Sequence, residues 1–176
     1  GLATSAPGIF AAGDVASAEH PFYGRRIRVE HWANALNQPA TAARSMLGKE
    51  ASYEQLPYFF SDQYDVGMEY AGYAIDWDRV VFRGDPDGGE FIAFWLREGR
   101  VLAGMNVNVW DVTDQIQELI RSRREVDVDR LVDPDLPLDQ RHDALVIERM
   151  TVAFARYGLG GTTAELGRLA RVWLEL

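Results

Sequence analysis

The chain has 176 residues, 47% of them hydrophobic, enough to bury a core of ordinary size in one domain or one and a fraction. Its formal net charge of -9 speaks against a nucleic-acid binder, because neutralising phosphates takes clustered lysine and arginine. No cysteine is present, which excludes disulfides, thiolate ligands and a dithiol redox centre within this stretch. His20, His31 and His142 lack metal-like spacing, no apolar run approaches the roughly 20 residues that span a bilayer, and no signal-peptide pattern opens the chain. A cytoplasmic protein with no metal site and no membrane segment is expected.

In chain order, Pro7-Gly8-Ile9-Phe10-Ala11-Ala12-Gly13-Asp14 reads as a short apolar strand, Gly8 to Ala12, that stops on a glycine. It delivers the Asp14 carboxylate to the strand's carboxyl end, the edge where open α/β sheets bind ligands. A carboxylate there accepts hydrogen bonds from ribityl or ribose hydroxyls; the plainer alternative is a turn capping a short helix that begins near Val15. Gly8 to Ala12 needs neighbouring strands to satisfy its backbone and nothing before it supplies them, so the chain is expected to be a piece of a longer protein.

Residues 15 to 29 read as a polar loop holding Pro21 and Gly24. A helix is predicted from about Ala33 to Leu47, because Ala35, Leu36, Ala40, Ala43 and Leu47 recur near helical spacing and Gly48 suits the position after the helix. Pro39 inside it predicts a kink or a restart. A helix beginning near Trp32 presents unpaired backbone donors and about half a positive charge to an anion. The alternatives are that Trp32 is a core aromatic beneath the helix and that His31 is a surface or hydrogen-bonding histidine.

Charge is uneven along the chain. Arg25, Arg26, Arg28, Arg44 and Lys49 outnumber Asp14, Glu19 and Glu30 in the first 49 residues, whereas residues 50–90 carry ten acids against Arg79 and Arg83. A basic first third on an acidic protein points to an anion site or an acidic partner; an ordinary variation in surface charge is the alternative.

From Leu56 onward the pattern turns to period two, predicting antiparallel strands near Tyr58 to Ser61, Val66 to Tyr73, Arg79 to Arg83, Glu90 to Arg97 and Arg100 to Val107. Glu98-Gly99 is a tight hairpin turn and Asp85-Pro86-Asp87-Gly88-Gly89 a looser one. In a strand only one of Phe59 and Phe60 can cover a ligand while the other enters the core. A helix follows from about Val112 to Arg124, with Asp111 or Thr113 near its cap and Ile116, Leu119 and Ile120 as its apolar stripe. Arg121, Arg123 and Arg124 complement its dipole or form a docking patch. Asp133-Pro134-Asp135-Leu136-Pro137-Leu138-Asp139 reads as a boundary, followed by helices over His142 to Tyr157 and Ala164 to Leu174, with Thr162 and Glu165 at capping-box spacing.

Thr4-Ser5-Ala6-Pro7-Gly8-Ile9-Phe10-Ala11-Ala12-Gly13-Asp14 is similar to the second FAD-binding motif of the two-dinucleotide-fold flavoprotein reductases. Within that superfamily, Glu30-His31-Trp32-Ala33-Asn34-Ala35, Asn37-Gln38 and Pro57-Tyr58-Phe59-Phe60-Ser61-Asp62-Gln63-Tyr64 resemble the NADH-dependent ferredoxin reductases that serve bacterial oxygenases and cytochromes P450. The likeness runs from about residue 4 to about residue 138. It implies FAD as cofactor, NAD(P)H as electron donor and a ferredoxin-type iron–sulfur protein as acceptor. It also implies a cofactor site of Gly13, Asp14, Glu30, His31, Trp32 and Phe60, with Trp32 at the isoalloxazine edge and the helix end stabilising the negative charge of reduced flavin. Relatives commonly carry tryptophan where Phe60 stands; phenylalanine keeps an apolar cover without the indole donor. The glycine-rich FAD and NAD fingerprints of that family are missing, so the piece alone is expected to bind FAD poorly and to be inactive.

The fold class implied is α+β: a C-terminal reductase, or interface, lobe of antiparallel sheet plus helices, preceded by the last strand and helix of an FAD-binding α/β domain. The corresponding domains are residues 1–50, 51–138 and a helical extension over 139–176. Arg25, Arg26 and Arg28 beside the proposed flavin edge suit an acidic ferredoxin. Two other readings stay open, a noncatalytic interaction or homodimerisation module and a related NAD(P)H-flavin disulfide or peroxide reductase.

Overall fold

The computed structural model describes residues 1–138, and the chain divides into two compact units, Gly1–Glu125 and Val126–Leu176. The predicted helices at 142–157 and 164–174 lie outside the described residues. The first unit is α+β, as its patterning indicates. Its main sheet has five antiparallel strands, β3 (Tyr58–Gln63), β4 (Val66–Gly72), β5 (Arg79–Asp85), β6 (Glu90–Arg97) and β7 (Arg100–Val107), in the order β3-β4-β7-β6-β5. Before it come β1 (Ser17–His20) and β2 (Arg25–Arg28), then α1 (Trp32–Met46); after it comes α2 (Thr113–Ser122).

Alternation of apolar and polar residues suffices to place the five strands, and their turns close the register. Glu98 and Gly99 both take positive φ (49° and 73°), the paired left-handed conformation that matches the twist of a two-residue hairpin. Register then puts Phe60, Glu69 and Asn106 in one row across β3, β4 and β7, and Phe59, Tyr70 and Met105 in the adjacent row. Neighbouring rows project to opposite faces. The Glu69 face is covered by α2, which buries Ile116, Leu119 and Ile120 as predicted. Gly104 permits this approach, because a Cβ there would sit 2.6 Å from Ile116 Cγ2.

Several local expectations are corrected. Pro7 to Asp14 is not a strand: among the described residues Phe10 bridges only Ala3, a single bridge supports no ladder, and Gly13–Val15 form a 3-10 turn. Residues 15 to 29 are not a loop but the β1–β2 hairpin, with Ile27 and Val29 buried at period two. Pro39 neither breaks α1 nor restarts it; the helix runs unbroken from Trp32 to Met46. It ends as expected on Gly48, where Gly48 N–H reaches the Ser45 carbonyl and Lys49 N–H the Arg44 carbonyl. The buried stripe of α1 is Asn34, Gln38 and Ala42, not the apolar set, and Leu36 is 59% exposed. Carboxamides occupy the buried face because loop backbone there needs partners. At α2 the cap position is Val112, between Asp111 and Thr113 as expected, but no side chain caps it and the Thr113 hydroxyl donates to Glu69.

In the second unit, α3 (Val128–Val132) forms within a stretch not predicted to be helical, started by Asp127, whose carboxylate accepts from Asp129 and Arg130 N–H. Among the described residues no helix is long and apolar enough to cross a membrane.

Tyr23, in the β1–β2 turn, has a buried hydroxyl with no hydrogen-bond partner among the described residues, and burial pushes its phenol pKa well above the ordinary value. Tyr23→Phe should therefore leave stability unchanged or raise it by about 1 kcal/mol in urea unfolding, because it removes a desolvated, unpaired group. A clear destabilisation would refute that assignment.

Candidate functional site

Of the six residues singled out by sequence, all but Phe60 gather around the start of α1. Gly13 is buried at φ +77°, and a Cβ there would lie 3.4 Å from Ala35 Cβ, so the turn sits flush against the helix's first turn. Gly13 N–H donates to Gln38 Oε1 at 2.9 Å, and Asn34 Nδ2 donates to the Val29 carbonyl at 2.9 Å. These two buried carboxamides, one helical turn apart, fasten the Gly13–Val15 turn and the strand leading into α1 to one helix face.

Arg28 completes the arrangement. Its Nε donates to the Asp14 carbonyl at 2.9 Å while its guanidinium pairs with Glu30 at 2.6 Å, leaving the exposed Asp14 carboxylate uncommitted among the described residues. Arg28 is thus held by the site, whereas Arg25 and Arg26 are exposed on β2. His31 occupies the helix cap position without a side-chain cap, so the first backbone N–H groups of α1 have no intrahelical acceptor and no cap from that side chain. Trp32 follows at 70% exposure, which sets aside its alternative reading as a core aromatic.

His31 stacks instead on Phe59, centroids 4.3 Å apart, and the rings continue through Tyr70 (5.2 Å) to Trp95 (5.5 Å). The structure therefore joins Gly13, Asp14, Glu30, His31 and Trp32. Phe60, 53% exposed, projects from the opposite face of β3 to Phe59, in the row of Glu69. Strand alternation distinguishes the two phenylalanines, but only the contact with His31 shows which one faces α1.

Sequence reasoning missed Glu69. Its carboxylate accepts from Tyr58 OH at 2.7 Å, Asn106 Nδ2 at 2.9 Å and Thr113 Oγ1 at 2.8 Å, linking β3, β4, β7 and α2. Partial burial pushes the Glu69 pKa up, and the three donors together outweigh it, leaving the carboxyl below its ordinary range. Burial and the bond to Glu69 in turn push the Tyr58 phenol up to about 12. Only the alternation of β4 hinted at it, by placing an acid among residues of a half-buried strand.

The Reductase C-terminal family matches residues 58–141. The chain is 41% identical over 138 residues to the 5,5'-dehydrodivanillate O-demethylase ferredoxin reductase subunit of Sphingobium sp., covering 78% of this chain and 34% of that protein. It is 38% identical over 139 residues to the ferredoxin--NAD(+) reductase component of the anthranilate 1,2-dioxygenase system of Burkholderia cepacia, again 78% of this chain and 34% of the other. Among solved structures, a covalent putidaredoxin reductase–putidaredoxin complex superposes with a TM-score of 0.73 at 35% identity, covering 81% of this chain and 34% of that one. The chain thus spans about a third of the length of the curated relatives it matches.

Proposed function

We propose, from the match of residues 58–141 to the Reductase C-terminal family, that this chain is the C-terminal part of an FAD-dependent NADH:ferredoxin reductase and supplies one wall of its flavin site. The observation that carries this reading is the fastening of the Gly13–Val15 turn to the open N-terminal end of α1 through Gln38 and Asn34. A flavin held there would supply the chemistry of hydride acceptance from NADH and single-electron release to an iron–sulfur protein.

The residues present fit that cofactor. Asp14 offers an exposed carboxylate to ribityl hydroxyls, and Gly13 lets the backbone approach closely. The uncapped N–H groups at the start of α1 favour an anionic ring edge within the first helical turn. Trp32 provides an exposed apolar face at the start of α1, with Glu30 and His31 orienting the segment between strand and helix, and Phe60 provides a second one from the other face of β3. Arg25 and Arg26 steer an acidic ferredoxin, a role left to them because Arg28 is engaged. In this reading residues 1–50 close the FAD-binding domain, residues 51–138 form the reductase domain, and 139–176 extend it, in a cytoplasmic enzyme.

The test joins this chain to the upstream two-thirds of a ferredoxin reductase relative. The expected product shows flavin absorbance and NADH-dependent ferredoxin reduction; a colourless, folded fusion sinks the proposal. Asp14→Ala in that fusion should weaken FAD binding about tenfold to a hundredfold, the loss of charge-assisted hydrogen bonds at roughly 1.5–3 kcal/mol. An unchanged flavin dissociation constant would remove Asp14 from the site.

A further inference from the structure

A cleft of about 350 Å³ opens within the Gly1–Glu125 unit between the β1–β2 turn, the residues after β4, the β6–β7 hairpin and the end of α2. Of the residues assigned above to flavin or partner, it includes only Arg25. One side of it is apolar, lined by Tyr73, Ile75, Leu102 and Ile120 together with Phe22 and Tyr23. The aromatic part is ordered, with Phe22 edge-on to Tyr23 at 5.0 Å and Tyr23 5.7 Å from Tyr73. Arg123, the left-handed residue ending α2, stacks 4.4 Å over Phe22 and donates to its carbonyl, which fixes one wall.

Against this apolar interior stand four guanidinium groups, Arg25, Arg97, Arg100 and Arg123, and one lining acid, Asp76. Two of the four are loosely held. Arg97 lies 3.7 Å from Asp76 and Arg100 lies 3.6 Å from Glu125, with both arginine side chains about half exposed. A close charge-assisted pair is about 2.7–2.9 Å long, so these cations can turn to a better acceptor at little cost.

The geometry points to a binding site for a small aromatic carboxylate, its ring in the cleft against Tyr73, Ile75 and Leu102 and its carboxylate forked by Arg97 and Arg100. An inorganic anion leaves the apolar walls unused, and a neutral ring leaves the guanidiniums without an acceptor. Arginine suits the role because its planar fork meets a carboxylate through two parallel hydrogen bonds.

Fluorine NMR on the full chain without FAD tests this site independently of the flavin reading. 4-Fluorobenzoate should bind saturably at about 10 mM or below, and 4-fluorobenzamide about tenfold more weakly. The double substitution Arg97→Gln with Arg100→Gln should weaken benzoate binding by about tenfold or more, while circular dichroism shows the fold retained. Ile75→Trp, which fills the apolar side, should block binding with every arginine in place. The site is refuted by benzoate binding that does not saturate, by equal binding of the amide, by inorganic phosphate competing as well as benzoate, or by undiminished binding in the double variant.

Discussion

Phe94→Ala should destabilise the Gly1–Glu125 unit by about 3–5 kcal/mol, the range for emptying a large aromatic site in a core that relaxes only partly. Phe94 has no exposed surface, sits in the central part of β6 and pairs with Gly104 of β7. At Gly104 the side chain of Ile116 from α2 lies so close to the sheet that a Cβ would clash with it. Truncating Phe94 therefore opens a cavity at the contact that joins helix to sheet, and neither backbone can close on it while the flanking ladders persist. Against domain stabilities of about 5–15 kcal/mol, that loss is a large share of the total. Urea titration followed by circular dichroism measures the effect, and a loss below about 1 kcal/mol would show that the core lies elsewhere.

Glu69→Ala should cost about 2–4 kcal/mol, because it strips an acceptor from three donors at once. Asn106 keeps its bond to the Val109 carbonyl at 2.7 Å, and the half-buried Tyr58 and Thr113 recover water, which holds the loss below a sum of three charged bonds. The same network gives a signed pH dependence. The folded-state pKa of Glu69 is lowered, so its stabilisation is fully present above the unfolded carboxyl pKa and is lost as pH falls through the folded value. Tyr58 acts at the other extreme: its pKa is raised, and its contribution is lost as pH rises from the ordinary phenol value through about 12. Stability measured across the acid range should fall less steeply in Glu69→Gln than in the parent chain. Parallel curves would mean that other carboxylates govern acid unfolding.

Much of the fold was legible in the order of residues. Period-two alternation from Tyr58 to Val107 marked the five strands, Glu98-Gly99 marked a hairpin, and Ile116, Leu119 and Ile120 marked the buried stripe of α2. These are local signals, carried by side-chain periodicity and turn chemistry within a few residues. The failures share a cause. The apolar spacing of α1 suggested one inward face, but the buried one is Asn34, Gln38 and Ala42, because backbone at Gly13, far along the chain, and at Val29, just before the helix, needs hydrogen-bond partners.

For the candidate site, the chain order supplied Gly13, Asp14, Glu30, His31, Trp32 and Phe60 together with the family resemblance. It did not supply their geometry. That Arg28 holds Asp14 and Glu30, that His31 stacks on Phe59, and that Phe60 shares a row with Glu69 follow from register and packing. By itself the sequence determined the strand alternation, the positions of α1 and α2 and the type of chemistry to seek, since each depends on residue type and short spacing. Only the tertiary structure decided which polar groups satisfy one another, because Glu69 meets Asn106 and Thr113 at separations of 37 and 44 residues, a pairing set by sheet register and helix docking.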